Sequence, residues 1–138
     1  MKIKMVLDNG AIPPTRAHMD DAGVDLYAPI PFVVEAGQRA FINTGVHVAI
    51  PPRYFGSMRS KSGLLRKFGI LTTGVIDSGY RGPVGVTLIN TTHANIHFER
   101  GDKIAQMIIQ PYETADFELV EELDETDRGS NGFGSSGR

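Results

Sequence analysis

An all-β domain, a sandwich, jelly roll or barrel, is the fold this sequence predicts. Three observations lead there. Glycine (16) and proline (8) punctuate the chain throughout. The apolar runs between them are short and rich in Val, Ile, Thr and Phe. Helical periodicity is confined to a turn or two at Ser62–Lys67.

In chain order, Lys2–Leu7 starts as an alternating strand with Ile3 and Met5 on one face. Asp21–Pro29 reads as a glycine turn flanked by two carboxylates, followed by a β-type pair. Ala40–Ile50 reads as one long strand ended by Pro51-Pro52. The helical turns at Ser62–Lys67 come next, with Ser62 as a suitable N-cap. Pro83–Thr91, Asn95–Glu99, Lys103–Tyr112 and Asp116–Glu121 complete the predicted strands. We find no internal repeat. From Asp127 the composition turns to Gly and Ser, so residues 1–127 are expected to form the body and residues 128–138 a flexible tail of the same domain.

Composition narrows the function. At 138 residues, 41% hydrophobic and 22% charged, the chain has the size and balance of one globular domain with its own core. A net charge of −2 gives no basic excess for gripping long nucleic acid. The absence of cysteine excludes disulfides, thiol catalysis and Cys-ligated zinc. Met1–Leu7 is too short and too charged for a signal peptide, and no apolar run approaches membrane-spanning length. A soluble, cytoplasmic protein without nucleic-acid or membrane partners is the expectation.

Five stretches carry chemistry. In Asp21–Pro29, Asp25 can hold water around a hard cation such as Mg²⁺, or the acids can make only turn hydrogen bonds. Arg59–Leu64 gathers two cations, two hydroxyls and a glycine ahead of the helical turns. Such a helix start is suited to anions, and it is not a P-loop because the Gly-x₄-Gly-Lys spacing is missing. Gly74–Pro83 places Asp77 three residues before Tyr80. It is a plain β-turn, or else a general base beside an aromatic floor for a sugar or base. Gln106 interrupts the apolar strand after Gly101-Asp102, facing solvent or donating to a phosphate. The last eleven residues, Arg128–Arg138, set Phe133 among four glycines and three serines. Backbone N–H groups can wrap phosphate oxygens, Arg128 can fork onto a phosphate and Phe133 can stack on a base, so the tail reads as a lid over a nucleotide or as a simple linker. The four histidines do not cluster at ligand spacing.

These segments, in this order, resemble the five motifs of the trimeric dUTPase family. They are Ala22–Leu26, Lys61–Leu64, Gly74–Gly82, Gly101–Gln106 and Arg128–Gly137, and together they span nearly the whole chain. The resemblance implies a distorted, β-clip-like jelly roll with at most one short helix. It also implies a homotrimer whose active sites lie at subunit interfaces, each closed by a neighbour's tail. The implied reaction is hydrolysis of dUTP to dUMP and pyrophosphate with Mg²⁺, which limits uracil incorporation into DNA and supplies dUMP for dTMP synthesis. Asp77 would activate the water that attacks the α-phosphorus. Gly74, Val75 and Ile76 would read uracil, and Tyr80 would pack on the deoxyribose and exclude a 2′-hydroxyl. Lys61, Ser62, Gly63 and Gln106 would hold phosphate oxygens. Arg128 would grip the terminal phosphate, Phe133 would stack on uracil, and Gly134, Ser135 and Ser136 would complete the cage. Asp25 would bind a water of the Mg²⁺ shell.

Three departures accompany the resemblance. Many members carry Arg where Lys61 stands, have an Asn before the catalytic Asp where Leu71–Gly74 has none, and have Gly at the position of Asn131. Rival readings are a dCTP deaminase, a homologue with altered base preference, and a non-catalytic nucleotide-binding module. The first needs a glutamate on the strand after Asp77, and Val84–Asn90 has no acid.

Overall fold

The computed structural model describes residues 1–132. Eleven strands and one short helix occur among them, and every strand pairing is antiparallel. The strands are β1 (Lys4–Leu7), β2 (Gly23–Tyr27), β3 (Phe32–Val34), β4 (Arg39–Asn43), β5 (Val46–Ala49), β6 (Tyr54–Arg59), β7 (Ile70–Leu71), β8 (Thr73–Ile76), β9 (Gly85–Asn90), β10 (Ile96–Phe98) and β11 (Lys103–Pro111). The helix α1 (Ser62–Phe68) lies between β6 and β7. The sheet that positions the site has the order β2-β11-β6-β8, and a second has the order β4-β9-β7. The pairs β1-β5 and β3-β10 complete a jelly roll.

Alternation builds the core. In β9 Val86, Leu88 and Asn90 point inward, and in β5 Val46 and Val48 do. They meet Leu26, Ile50, Met58, Ile70, Phe98, Ile104 and Met107 in one cluster. Asn90 is polar yet buried, and its amide is satisfied. Nδ2 donates to the carbonyls of Val34 (3.0 Å), Glu35 (3.1 Å) and Ala94 (2.7 Å), and Oδ1 accepts from Thr92.

The sequence reading needs four corrections. Ala40–Ile50 is two strands, because Gly45 takes a left-handed φ of 69° and Thr44 turns inward to donate to the Val84 carbonyl at 2.7 Å. The chain thereby passes from the β4-β9 sheet to the β1-β5 pair. Asp116–Glu121 is not a strand; Phe117 and Leu119 are 98% and 99% exposed there, and no strand among the described residues pairs with it. Asp25 lies within β2 rather than in a turn, and only Asp21 makes a turn bond, accepting from the His18 amide. Ser62 is the first helical residue and not the cap; Lys61 occupies that place without a side-chain bond. The remaining ranges hold to within a residue or two, while β3, β6, β7 and β8 were not foreseen as strands.

Candidate active site

One cluster forms where β2, β11 and the end of β6 meet. Gln106 of β11 lies opposite Asp25 on one side and Arg59 on the other. Its Nε2 donates to the Ser60 carbonyl at 3.1 Å, so Gln106 is half-buried and fixes the loop entering α1. Ser60 ties that loop to the residue between β7 and β8 through its hydroxyl, which donates to the Thr72 carbonyl (3.1 Å) and accepts from the Thr72 amide (2.7 Å). Beyond the loop, Ser62 and Gly63 open α1, whose first intrahelical bond is from the Leu65 amide to the Lys61 carbonyl. The N–H groups of the first turn are thus left without helical partners.

Asp25 organises the charge here. It is 7% exposed and accepts from two ammonium groups, Lys61 Nζ at Oδ1 and Lys103 Nζ at Oδ2 (2.7 Å). Burial opposes its ionisation, but the hydrogen bonds from Lys103 and Lys61 outweigh that and hold its pKa below the ordinary value of 3.8. The bond to Asp25 likewise raises the pKa of Lys103. Two cations on one carboxylate leave a net positive cluster. Lys61, Gly63 and Lys103 line a cavity of about 660 Å³ with Leu64, Phe68 and Phe98. Lys103 was not anticipated as a site residue. The signal was present in the sequence, since a cation directly follows the Gly101-Asp102 turn.

A second cluster forms around Asp77, just past β8. Val75, Ile76, Asp77 and Tyr80 line one cavity of about 240 Å³ with Phe41 and Pro83. Asp77 is exposed on the single chain rather than partly buried. Its turn closes through the Tyr80 amide donating to the Asp77 carbonyl at 3.1 Å. Arg81 folds back to donate to the carbonyls of Ser78 (2.6 Å) and Tyr80 (2.8 Å). Tyr80 Oη donates to the Pro83 carbonyl at 3.1 Å. A side chain on Gly82 would meet that ring, with a Cβ 2.5 Å from Tyr80 Cζ, so only glycine lets the phenol lie where it does. Strand β8 is the outer strand of its sheet, leaving the far edge of Gly74, Val75 and Ile76 unpaired by any strand among the described residues. Phe41, 70% exposed, is a further wall that the sequence reading missed.

The chain does not bring the two clusters together. Ile76 pairs with Gly56, two residues from the start of β6, while Thr73 pairs with Arg59 at its end, close to Lys61. At about 3.3 Å per strand residue, Asp77 and Ser62 are separated by roughly 15–20 Å. In the tail, Arg128 is exposed and Nε donates to the Asn131 carbonyl at 2.9 Å. Phe133, Gly134, Ser135 and Ser136 lie outside the described residues.

Among the described residues no group of three His, Cys, Asp or Glu side chains is placed to hold a metal. A protein cage for Mg²⁺ is therefore absent from them. A carboxylate offers about four acceptor sites. Asp25 gives two of them to lysines, so it has room for water of an ion carried in by a substrate. Among the described residues no helix is long and apolar enough to cross a membrane.

Comparison with known proteins gives consistent matches. The family model described as dUTPase matches residues 9–137. A deoxyuridine 5′-triphosphate nucleotidohydrolase of Nocardia farcinica is 47% identical over 135 residues, 95% of this chain and 82% of that protein. The solved dUTPase of Staphylococcus bacteriophage 80alpha with dUpNHpp superposes with a TM-score of 0.92 at 31% identity, covering 99% of each chain. A mutant dUTPase from phage phi11 of S. aureus, solved for the coordination of a structural Mg(II) ion, has a TM-score of 0.80 at 29% identity, covering 88% of this chain and 98% of that one.

Proposed function

The chain belongs to the dUTPase family and is a deoxyuridine triphosphate nucleotidohydrolase, and on that premise we propose how its residues divide the work. Asp77 accepts a proton from a water that attacks the α-phosphorus of dUTP. The new P–O bond forms as the bond to the bridging oxygen breaks, releasing dUMP and pyrophosphate. The observation that carries this assignment is the shared cavity of Asp77, Tyr80, Val75 and Ile76, which puts a carboxylate beside an aromatic wall and an unpaired strand edge. The edge of Gly74–Ile76 offers the backbone donors and acceptors that a uracil edge requires. Tyr80, fixed by Pro83 and by the bare Gly82, packs on the deoxyribose and leaves no room for a 2′-hydroxyl.

The phosphates belong at the other cluster. The amides of Ser62 and Gly63, the Lys61 ammonium and the Gln106 amide hold their oxygens. Bound with the triphosphate, Mg²⁺ would offset its charge, and Asp25 would hold a water of that ion's shell. Little covalent work falls to the protein, and the gain comes from positioning and charge stabilisation.

The separation of roughly 15–20 Å along β6 supports a site shared between chains, with Asp77 from one protomer and the phosphate cluster from another in a homotrimer. Residues 128–138 act as the lid, with Arg128 on the terminal phosphate, Phe133 on uracil, and Gly134, Ser135 and Ser136 around the phosphate chain. We place the enzyme in the cytoplasm. The test is pyrophosphate release with Mg²⁺ from dUTP, dTTP, dCTP and UTP, by the native chain and by Asp77→Asn. Selective release with dUTP, lost by several orders of magnitude in Asp77→Asn while dUTP still binds, is expected. Undiminished turnover in that variant would remove Asp77 as the base.

A further inference from the structure

The Asp77 turn is anchored from outside by a residue that no motif contains. His47 sits on β5, opposite Val6 of β1. Its Nδ1 lies 2.8 Å from the carbonyl oxygen of Arg81, and its Nε2 lies 3.1 Å from Asp8 Oδ1. Both partners are acceptors only: a peptide carbonyl cannot donate, and neither can an ionised carboxylate. A neutral imidazole carries one N–H and satisfies one of them, whereas the imidazolium carries two and satisfies both. The geometry therefore selects the protonated ring.

Asp8 is itself held, with its amide donating to the Gly45 carbonyl at 2.8 Å. On the other side Arg81 is the residue whose guanidinium clips the carbonyls of Ser78 and Tyr80. A continuous chain of bonds thus runs from the end of β1, through His47, into the turn that carries Asp77 and Tyr80.

We propose that His47, in its imidazolium form, is a positioning residue for the Asp77–Tyr80 turn, so that turnover of dUTP weakens as this ring loses its proton. The proposal rests on the assignment of Asp77 and Tyr80 made above. The charged groups around the ring are Asp8 and Lys4 from the β1 side and Arg81 from the turn. Asp8 favours the imidazolium and the two cations oppose it, but the Arg81 guanidinium is directed away at Ser78 and Tyr80. The balance raises the pKa of His47 above its ordinary 6.5, chiefly through the Arg81 carbonyl and next through Asp8. The sign follows. A raised folded-state pKa means that both bonds are complete below pH 6.5 and that one is lost as pH climbs through the higher folded value.

Two measurements on the full-length chain test this. In the first, the His47 ring and the Arg81 and Gly82 amides are followed by NMR from pH 5 to 9 without substrate. The ring and both amides are expected to titrate together above 6.5, and Asp8→Asn is expected to move that midpoint down. In the second, kcat/KM for dUTP is followed over the same range. A fall of roughly 3- to 10-fold through the same midpoint is expected, carried mainly by KM because Tyr80 contacts the nucleoside. That limb shifts down in Asp8→Asn and is missing in His47→Gln, whose donors sit on a single nitrogen and do not titrate. A phosphate ionisation of the substrate would not move with Asp8. A ring that titrates below 6.5, amides that ignore it, or a limb unchanged in both variants would overturn the proposal. Failure to hydrolyse dUTP at any pH would instead strike the functional assignment, and the NMR arm would still decide the role of His47.

Discussion

Replacing Asp25 by Asn tests the charge cluster most directly. The two side chains have nearly the same shape, so the change removes charge with little loss of packing. In the native chain each carboxylate oxygen receives one ammonium, from Lys61 and Lys103. In the variant one ammonium can still face the amide oxygen, but the other meets an NH₂ group, and no negative charge is left between them. Breaking a buried ion pair by removing one partner costs about 3–5 kcal/mol when the stranded charge cannot reach water. Here it can, because the side chains of Lys61 and Lys103 are 26% and 43% exposed. That relief reduces the expected cost to about 1–2 kcal/mol, near the range for partly screened pairs. For a domain of this size the loss corresponds to a fall in Tm of roughly 3–10 °C.

The pH dependence gives a second, independent check. The folded pKa of Asp25 lies below its ordinary 3.8. Its contribution is therefore complete above pH 3.8 and disappears as pH falls through the lower folded value. Urea midpoints of native chain and Asp25→Asn should stay apart from pH 7 down to about 4 and converge below that. Equal midpoints at pH 7 would show that the carboxylate contributes nothing net. A gap that persists undiminished under acid would assign the effect to packing instead.

Three further outcomes are expected. Gly82→Ala places a methyl group against the Tyr80 ring, so the ring must leave its place on the Pro83 carbonyl; kcat/KM for dUTP should fall by about 10–100-fold and UTP should be rejected less well, and unchanged discrimination would move ribose selection away from Tyr80. Arg53 holds a left-handed φ of 66° and an exposed pair with Glu113, so Arg53→Gly should raise Tm by about 1–4 °C, and a fall would show that the ion pair outweighs the strain. Asp77→Asn chains co-assembled one-to-one with chains lacking residues 128–138 should regain about a quarter of native activity if tail and base come from different protomers, and should stay inactive if both come from one.

What the sequence discloses depends on whether a feature is local. The helix could be placed because Gly69 closes it within the segment, and β9 because its alternation mirrors one buried face. Strand β6 escaped notice because Gly56, Ser57 and Met58 are buried in succession between β11 and β8, which erases alternation. Asp116–Glu121 misled for the converse reason: the β-like composition is there, but no strand among the described residues pairs with it. The motifs pointed to Asp25, Lys61, Asp77 and Gln106, which lie in β2, at the cap of α1, just past β8 and in β11. They did not reveal that Asp25 serves two lysines, because Lys103 stands 78 positions away and only the β2–β11 register makes them neighbours. His47 was invisible for the same reason, since its partners lie 39 residues before it and 34 after.

The same contrast between local and distant bears on the proposal that the site is shared between chains. Strand β6 is paired on both sides; Asp77 follows β8 beside its first half, and the first turn of α1 follows its far end. No side-chain rotation spans roughly 15–20 Å, which supports the proposal that a nucleotide held at one protomer's helix start meets the Asp77 of another. The tail faces the opposite situation. From Pro111, where β11 ends, to Arg128 the chain has no further strand. Seventeen residues extend to at most about 55–60 Å, more than the length of any strand in the body. A sheet that keeps the two halves of the proposed site apart, followed by a segment with reach to spare, is what a site shared between neighbouring copies would require. Closure would then report that both the partner's Asp77 and the full triphosphate are in place.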